Sequence, residues 1–280
     1  MTRDDELARA VASAGREGLL RLGFVAGRRG TWLASRLSVA PLRAHRAFSM
    51  PDGTAIVQIV HIGPGLLAGD VSTIDVHVGR GASAILVPQS ATKIHAMGEA
   101  TIARQSVRVR VEPGGYLEMH GALGIPFPGS AFDQRAEVDL APGASMLWTE
   151  RWTTGRDLVD EPRGAFRRLS SRIEVRVAGE LRYADATELV GTADAGDEPH
   201  ASTLGILDGR AHLASGVFVG DGIGEVPSEA GVTVGRFGDG LYVRCLTDDA
   251  GAARRAVFGT ASAIRAAQGR RSLAYGRYAG

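Results

Sequence analysis

One phrase restricts this chain more than any other: a strand, a glycine turn and a second strand, written three times about thirty residues apart. The copies run Val76 to Leu86, Val109 to Met119 and Val138 to Trp148, with turns Gly79-Arg80-Gly81, Glu112-Pro113-Gly114-Gly115 and Ala141-Pro142-Gly143. Arg176 to Tyr183 is a fainter fourth copy. Period-two alternation on both sides of a Gly or Pro turn is what a strand needs to bury one face and then reverse or bend. The repeat therefore predicts either hairpins stacked into a sheet layer or successive turns of a β-helix-like coil. Leu19 to Phe24, Thr54 to His61, Val71 to Val78, Arg172 to Val177 and Leu241 to Cys245 alternate in the same way, so the expected fold is mainly β.

About two helices are expected beside the strands. Ala252, Ala253, Ala256, Val257, Thr260 and Ile264 recur at helical spacing near the C-terminus, behind Asp248 and Asp249, which suit a helix start. A second helix is placed between Pro142 and Arg168, around Trp148, Glu150 and Trp152. No break in composition marks a linker, so residues 1–280 are read as a single β-rich domain.

Charge and motifs exclude several functions. The formal net charge is +1, which supplies no global field for nucleic acid or an anionic membrane. The N-terminal residues, with Asp4, Asp5 and Glu6, lack a signal peptide's apolar core, and no later run approaches the ~18 apolar residues of a membrane helix, so a cytoplasmic location is expected. Cys245 is the single cysteine, which removes disulfides and thiolate zinc cages and reads as a buried small apolar residue. The metal-hydrolase, nucleophile-elbow and phosphate-loop signatures are missing, and the seven histidines include no pair at ligand spacing on a helix face.

The stretch from Gly63 to Asp70 looks like a phosphate-binding turn, but Val71 to Val78 continues as a strand, whereas phosphate binding needs a helix N-terminus there. Gly65 and Gly69 are then turn residues, and Asp70 either caps the turn or faces an interior. Asp70, Glu118, Glu150 and Glu161 lie near predicted strand ends and could line an internal passage that holds a divalent ion weakly, as oxygen ligands do. Lys93 is the one lysine among 32 basic Lys and Arg residues. A compact ammonium fits where a planar guanidinium does not, so Lys93 is expected to anchor a carboxylate, with Asp70 the candidate.

The order Gly65-x3-Gly69-Asp70, Gly81-Ala82 and Gln89-x-Ala91-Thr92-Lys93 resembles the urease accessory protein D family, also called UreD or UreH. Thr31-x-Leu33, Pro41-Leu42-Arg43, Leu117-Glu118, Ile125-Pro126-Phe127 and Gly155-Arg156-x4-Glu161 continue that likeness in register. The chain has Ala68 where the family usually has glycine, and Val87-Pro88 where it has two threonines. The resemblance implies a helix-poor fold of β-helical character and a protein that is not a catalyst. It implies binding to the urease apoprotein and, with the F and G accessory proteins, delivery of nickel that is held only transiently. Gly65, Gly69, Gln89, Thr92, Lys93, Gly155 and Arg156 would then be structural or partner-contact positions, and Asp70, Glu118, Glu150 and Glu161 the nickel route. Two alternatives from other classes are an enzyme using a carboxylate pair on a β-helical scaffold and an interaction module that has left urease maturation.

Overall fold

The computed structural model describes residues 16–155, 163–192, 206–223, 231–271 and 273–275. The chain opens with a hairpin of β1 (Glu17–Gly27) and β2 (Gly30–Val39), then crosses to β3 (Leu42–Ala44), β4 (Phe48–Ser49) and β5 (Ala55–His61). From β6 (Val71–Val78) onward it alternates between two sheets: β7 (Ser83–Pro88) and β8 (Thr92–Ile94), β9 (Ala103–Val111), β10 (Tyr116–Pro126), β11 (Ala131–Leu140), β12 (Ser145–Thr153) and β13 (Arg168–Val177). It ends with β14 (Glu180–Val190), β15 (His212–Val219), β16 (Val232–Phe237), β17 (Gly240–Thr247) and helix α1 (Ala250–Ala267).

The first sheet has the order β14-β13-β11-β9-β6-β1-β2 and the second β16-β17-β15-β12-β10-β7-β5-β3. Within the first, β1, β6, β9, β11 and β13 run parallel; within the second, so do β5, β7, β10 and β12. Each turn of the chain thus lays one strand in each sheet, which is a solenoid. The three clear copies of the repeated phrase are corners of this coil rather than hairpins; only the fourth, from β13 into β14, is a true antiparallel hairpin. Gly81, Gly114 and Gly143 occupy the same position in successive corners, at φ 64°, 68° and 71°, a left-handed conformation that glycine adopts without a Cβ clash. The corners also bond to each other, Gly81 N–H to Pro113 O at 3.1 Å and Ser145 N–H to Gly115 O at 3.0 Å.

Alternation decides what each sheet buries. Leu20, Leu22 and Phe24, with Val76, Val109 and Val138, project from the first sheet into a core shared with Val57, Leu86, Leu117 and Met146 of the second. The outer face of the first sheet is solvated and charged, as Arg108 opposite Glu137 and Arg110 opposite Asp139 illustrate. The second sheet is covered on both sides, because Ile85, Tyr116, Leu147 and Phe218 meet Ala253, Val257, Ala261 and Ile264 of α1. Double burial explains a misread element: where a helix is expected between Pro142 and Arg168, the described residues Ser145–Thr153 form strand β12, every residue of which after Ser145 is buried, and residues 156–162 lie outside the described residues. A strand buried on both faces loses its period-two signature. Helix α1 matches expectation, with Asp249 as its N-cap accepting from Gly251 N–H at 2.7 Å. Cys245 is buried, and no helix among the described residues is long and apolar enough to cross a membrane.

What fastens α1 to the sheet is polar. Arg265, on the helix, is completely buried, and its guanidinium donates to Glu118 Oε1 at 2.6 Å, Asp52 Oδ2 at 2.7 Å and Arg271 O at 2.6 Å. Glu118, on β10, is equally buried and also accepts from Tyr116 Oη at 2.8 Å and Tyr275 Oη at 2.7 Å, with His120 Nε2 at 3.2 Å. Both carboxylate oxygens of Glu118 and all three guanidinium nitrogens of Arg265 are thus hydrogen-bonded, the condition under which a buried ion pair is tolerated. Arg265→Met leaves Glu118 charged and uncompensated, so urea unfolding is expected to show a loss of about 3–5 kcal/mol. An unchanged unfolding midpoint would contradict this account.

Candidate functional site

The coil leaves a gap between the sheets at the end away from its glycine corners. A cavity of about 360 Å³ opens there, with Gly63, Pro64, Gly65, Ala91, Thr92 and Lys93 at its mouth. Its walls and floor include His61, Gln105, Gln134, Trp148, Glu150 and Trp152. The mouth is shaped by the glycine turn. Leu66 N–H donates to Lys93 O at 2.8 Å and His95 N–H to Leu66 O at 3.0 Å, so the turn is stitched to β8. Gly65, at φ 137°, lies so close to the Lys93 carbonyl that a Cβ could not be added.

Glu150 is the centre of the floor. It is buried, and its carboxylate accepts from Gln134 Nε2 at 2.6 Å, Trp148 Nε1 at 2.9 Å, Ser171 Oγ at 2.9 Å and Trp152 Nε1 at 3.4 Å. Gln105 extends the line by donating to Gln134 Oε1 at 2.9 Å. Among the described residues Glu150 has no cationic partner in an ion pair. Burial pushes its carboxyl above the ordinary range, Asp185 adds to the rise, and the hydrogen bonds from Trp148, Ser171 and Trp152 only partly oppose it. Behind it a void of about 20 Å³, enough for one water, is bordered by Tyr183, Asp185, Thr187 and Ser215.

His61 forms part of the wall, and both of its ring nitrogens are buried with no hydrogen-bond partner. Burial and the nearby Arg16 lower its pKa against the pull of Asp70, which favours the neutral ring with a free lone pair.

Of the four carboxylates proposed from the sequence, the structure puts one in the cavity. Asp70 closes its turn: Oδ1 accepts from Arg16 N–H at 2.9 Å and Oδ2 from Leu67 N–H at 2.8 Å. Glu118 is committed to Arg265 and neither residue lines the cavity. Glu161 and Arg156 lie outside the described residues. The expected Lys93–Asp70 pair is not formed, because Lys93 is exposed at the mouth while backbone amides satisfy Asp70. Thr92 sits beside Lys93 at the mouth, and Gln89 is exposed, its N–H donating to Ile59 O at 3.0 Å. Gly69 takes φ 74° inside the turn, and Gly155, at φ 153°, accepts from Thr153 Oγ1 at 3.0 Å. His61, Gln105 and Gln134 were not anticipated; each sits on an alternating strand where an interior polar residue breaks the apolar pattern, and that break was the available signal.

Comparison with known proteins gives a consistent result. A sequence profile described as UreD urease accessory protein matches residues 16–277. The urease accessory protein UreD 1 of Synechococcus sp. (strain JA-3-3Ab) is 37% identical over 199 residues, covering 70% of this chain and 71% of the relative. The urease accessory protein UreD of Deinococcus radiodurans is 34% identical over 228 residues, covering 81% of this chain and 80% of the relative.

Two outcomes follow from the geometry. In a ¹³C titration of the carboxyl carbons, Glu150 should protonate above the ordinary carboxylate range and Glu118 below it, since His120 and Arg265 outweigh burial there. Glu118 therefore adds stability at neutral pH that disappears as pH falls through its folded value, while the cost of ionised Glu150 is relieved as pH falls through its raised one. Titration of both within one ordinary range would refute the assignment. Lys93→Arg should change stability by no more than about 0.5 kcal/mol in thermal unfolding, as for other exposed substitutions.

Proposed function

We propose that this chain, which belongs to the UreD urease accessory protein family, is a non-catalytic scaffold that binds the urease apoprotein and works with the F and G accessory proteins, nickel crossing its interior by way of His61 and Glu150. A role in urease maturation comes with the family. The observation that carries the nickel route is the cavity itself, lined by an imidazole whose ring nitrogens have no hydrogen-bond partner and by a carboxylate held by neutral donors.

Imidazole nitrogen and carboxylate oxygen are both good ligands for a divalent first-row metal. Glu150 is wrapped by neutral donors, and a cation reaching it must displace some of them, which keeps its hold weak and reversible. Such a balance suits a carrier that releases its cargo. Lys93 at the mouth contributes no ligand, because an ammonium has no free lone pair.

Combining His61→Ala with Glu150→Gln removes both ligands and should lower nickel bound in equilibrium dialysis and urease activation in co-expression by roughly tenfold or more each, since even outer-shell partners of a metal act on that scale. Co-purification with the urease apoprotein should persist, since both side chains point inward. Unchanged nickel uptake and unchanged activation in the double variant would sink the route.

A further inference from the structure

Among the described residues strand β2 ends the first sheet, with β1 on one side and no strand on the other; Thr31 N–H, at its start, donates to Gly53 O at 2.7 Å, so the open edge runs from Trp32 to Val39. Long edges of this kind are normally protected by charges, proline or a covering element, because their unpaired N–H and C=O groups accept a further strand. β2 has ten residues, of which Arg36 is the one charge, with no proline. Ala34 through Val39 are all exposed.

Its outward side chains are also unlike the rest of that face. Trp32, Leu37 and Val39 are 56%, 47% and 44% exposed, and register places them opposite Val25, Arg21 and Leu19 on β1. An apolar band thus borders a face that is otherwise a ladder of arginines and carboxylates. Around it the charge is one-sided. Between Arg16 and Arg46 the sequence holds seven arginines and a single acid, Glu17, in a chain whose net charge is only +1. Arg28 and Arg29, at the tip of the β1–β2 hairpin, are both exposed.

We propose that β2 is a docking edge for an extended acidic segment of a partner protein. The segment adds as a strand: its backbone bonds to the free side of β2, alternate apolar residues cover Trp32, Leu37 and Val39, and its carboxylates face Arg28, Arg29 and Arg36. The open backbone favours a strand over a lipid surface, which has no directional groups to pair with it. The surrounding positive charge favours an acidic strand over a second copy of this edge, since a copy would bring like charges together.

The probe is the ten-residue peptide acetyl-(Glu-Val)5-amide, added to the full chain. Trp32 is the exposed tryptophan, Trp148 and Trp152 being buried, so a blue shift in its emission reports docking. Saturable binding is expected, with the shift lost in Trp32→Phe and hydrogen-exchange protection gained on β2 amides. Affinity should fall roughly tenfold in Arg28→Glu/Arg29→Glu, for the matching lysine-valine peptide, and on raising salt. The proposal is overturned by no binding, or by binding without protection of β2. It is equally overturned if phosphatidylserine vesicles shift Trp32 while the peptide does not, or if sedimentation shows the chain dimerising through this edge.

Discussion

The ion pair between Glu118 and Arg265 is the contact on which the two halves of this architecture depend. It joins β10, in the middle of the second sheet, to a helix 147 residues further along the chain. Apolar burial alone would hold α1 against the sheet at many rotations about its axis, since Ala253, Ala256 and Ala261 offer little relief. A planar guanidinium with three named acceptors allows one. By committing Glu118 to this task, the fold keeps it out of the cavity, whose lining carboxylate is Glu150.

The contrast between these two glutamates is a matter of environment. Both are buried, and burial raises the pKa of each; the sign of the net shift is set by what surrounds the carboxylate. Glu118 is met by a permanent cation, whereas Glu150 is met by indole, amide and hydroxyl donors.

Much of the fold was readable because solenoid corners are written in local chemistry. Left-handed glycines at Gly81, Gly114 and Gly143 and period-two strands beside them need no knowledge of the rest of the chain. The repeat was ambiguous between hairpin and coil, because direction depends on the neighbouring strand, which lies about thirty residues away. β12 was misread because burial on both faces erases alternation. At the site, the structure places Glu150 in the cavity and Glu118 on Arg265, a partner 147 residues further along the chain that nothing local to Glu118 announces. His61 was legible only as an interior polar residue on a strand; that its ring nitrogens are buried without a partner takes three dimensions to show.

The parallel run of the first sheet is bounded at each end by an antiparallel strand, β2 at one side and β14 at the other. Those strands work as terminators. Each interior coil meets only its two neighbours through the same corner and the same ladder, so a coil is interchangeable with the next in backbone terms. An insertion or deletion of one whole coil away from β10 and the strands beneath α1 would change the length of the molecule while leaving both terminators in place. Loss of half a coil would instead move every later strand to the opposite sheet, so length variation in proteins of this architecture should come in whole turns.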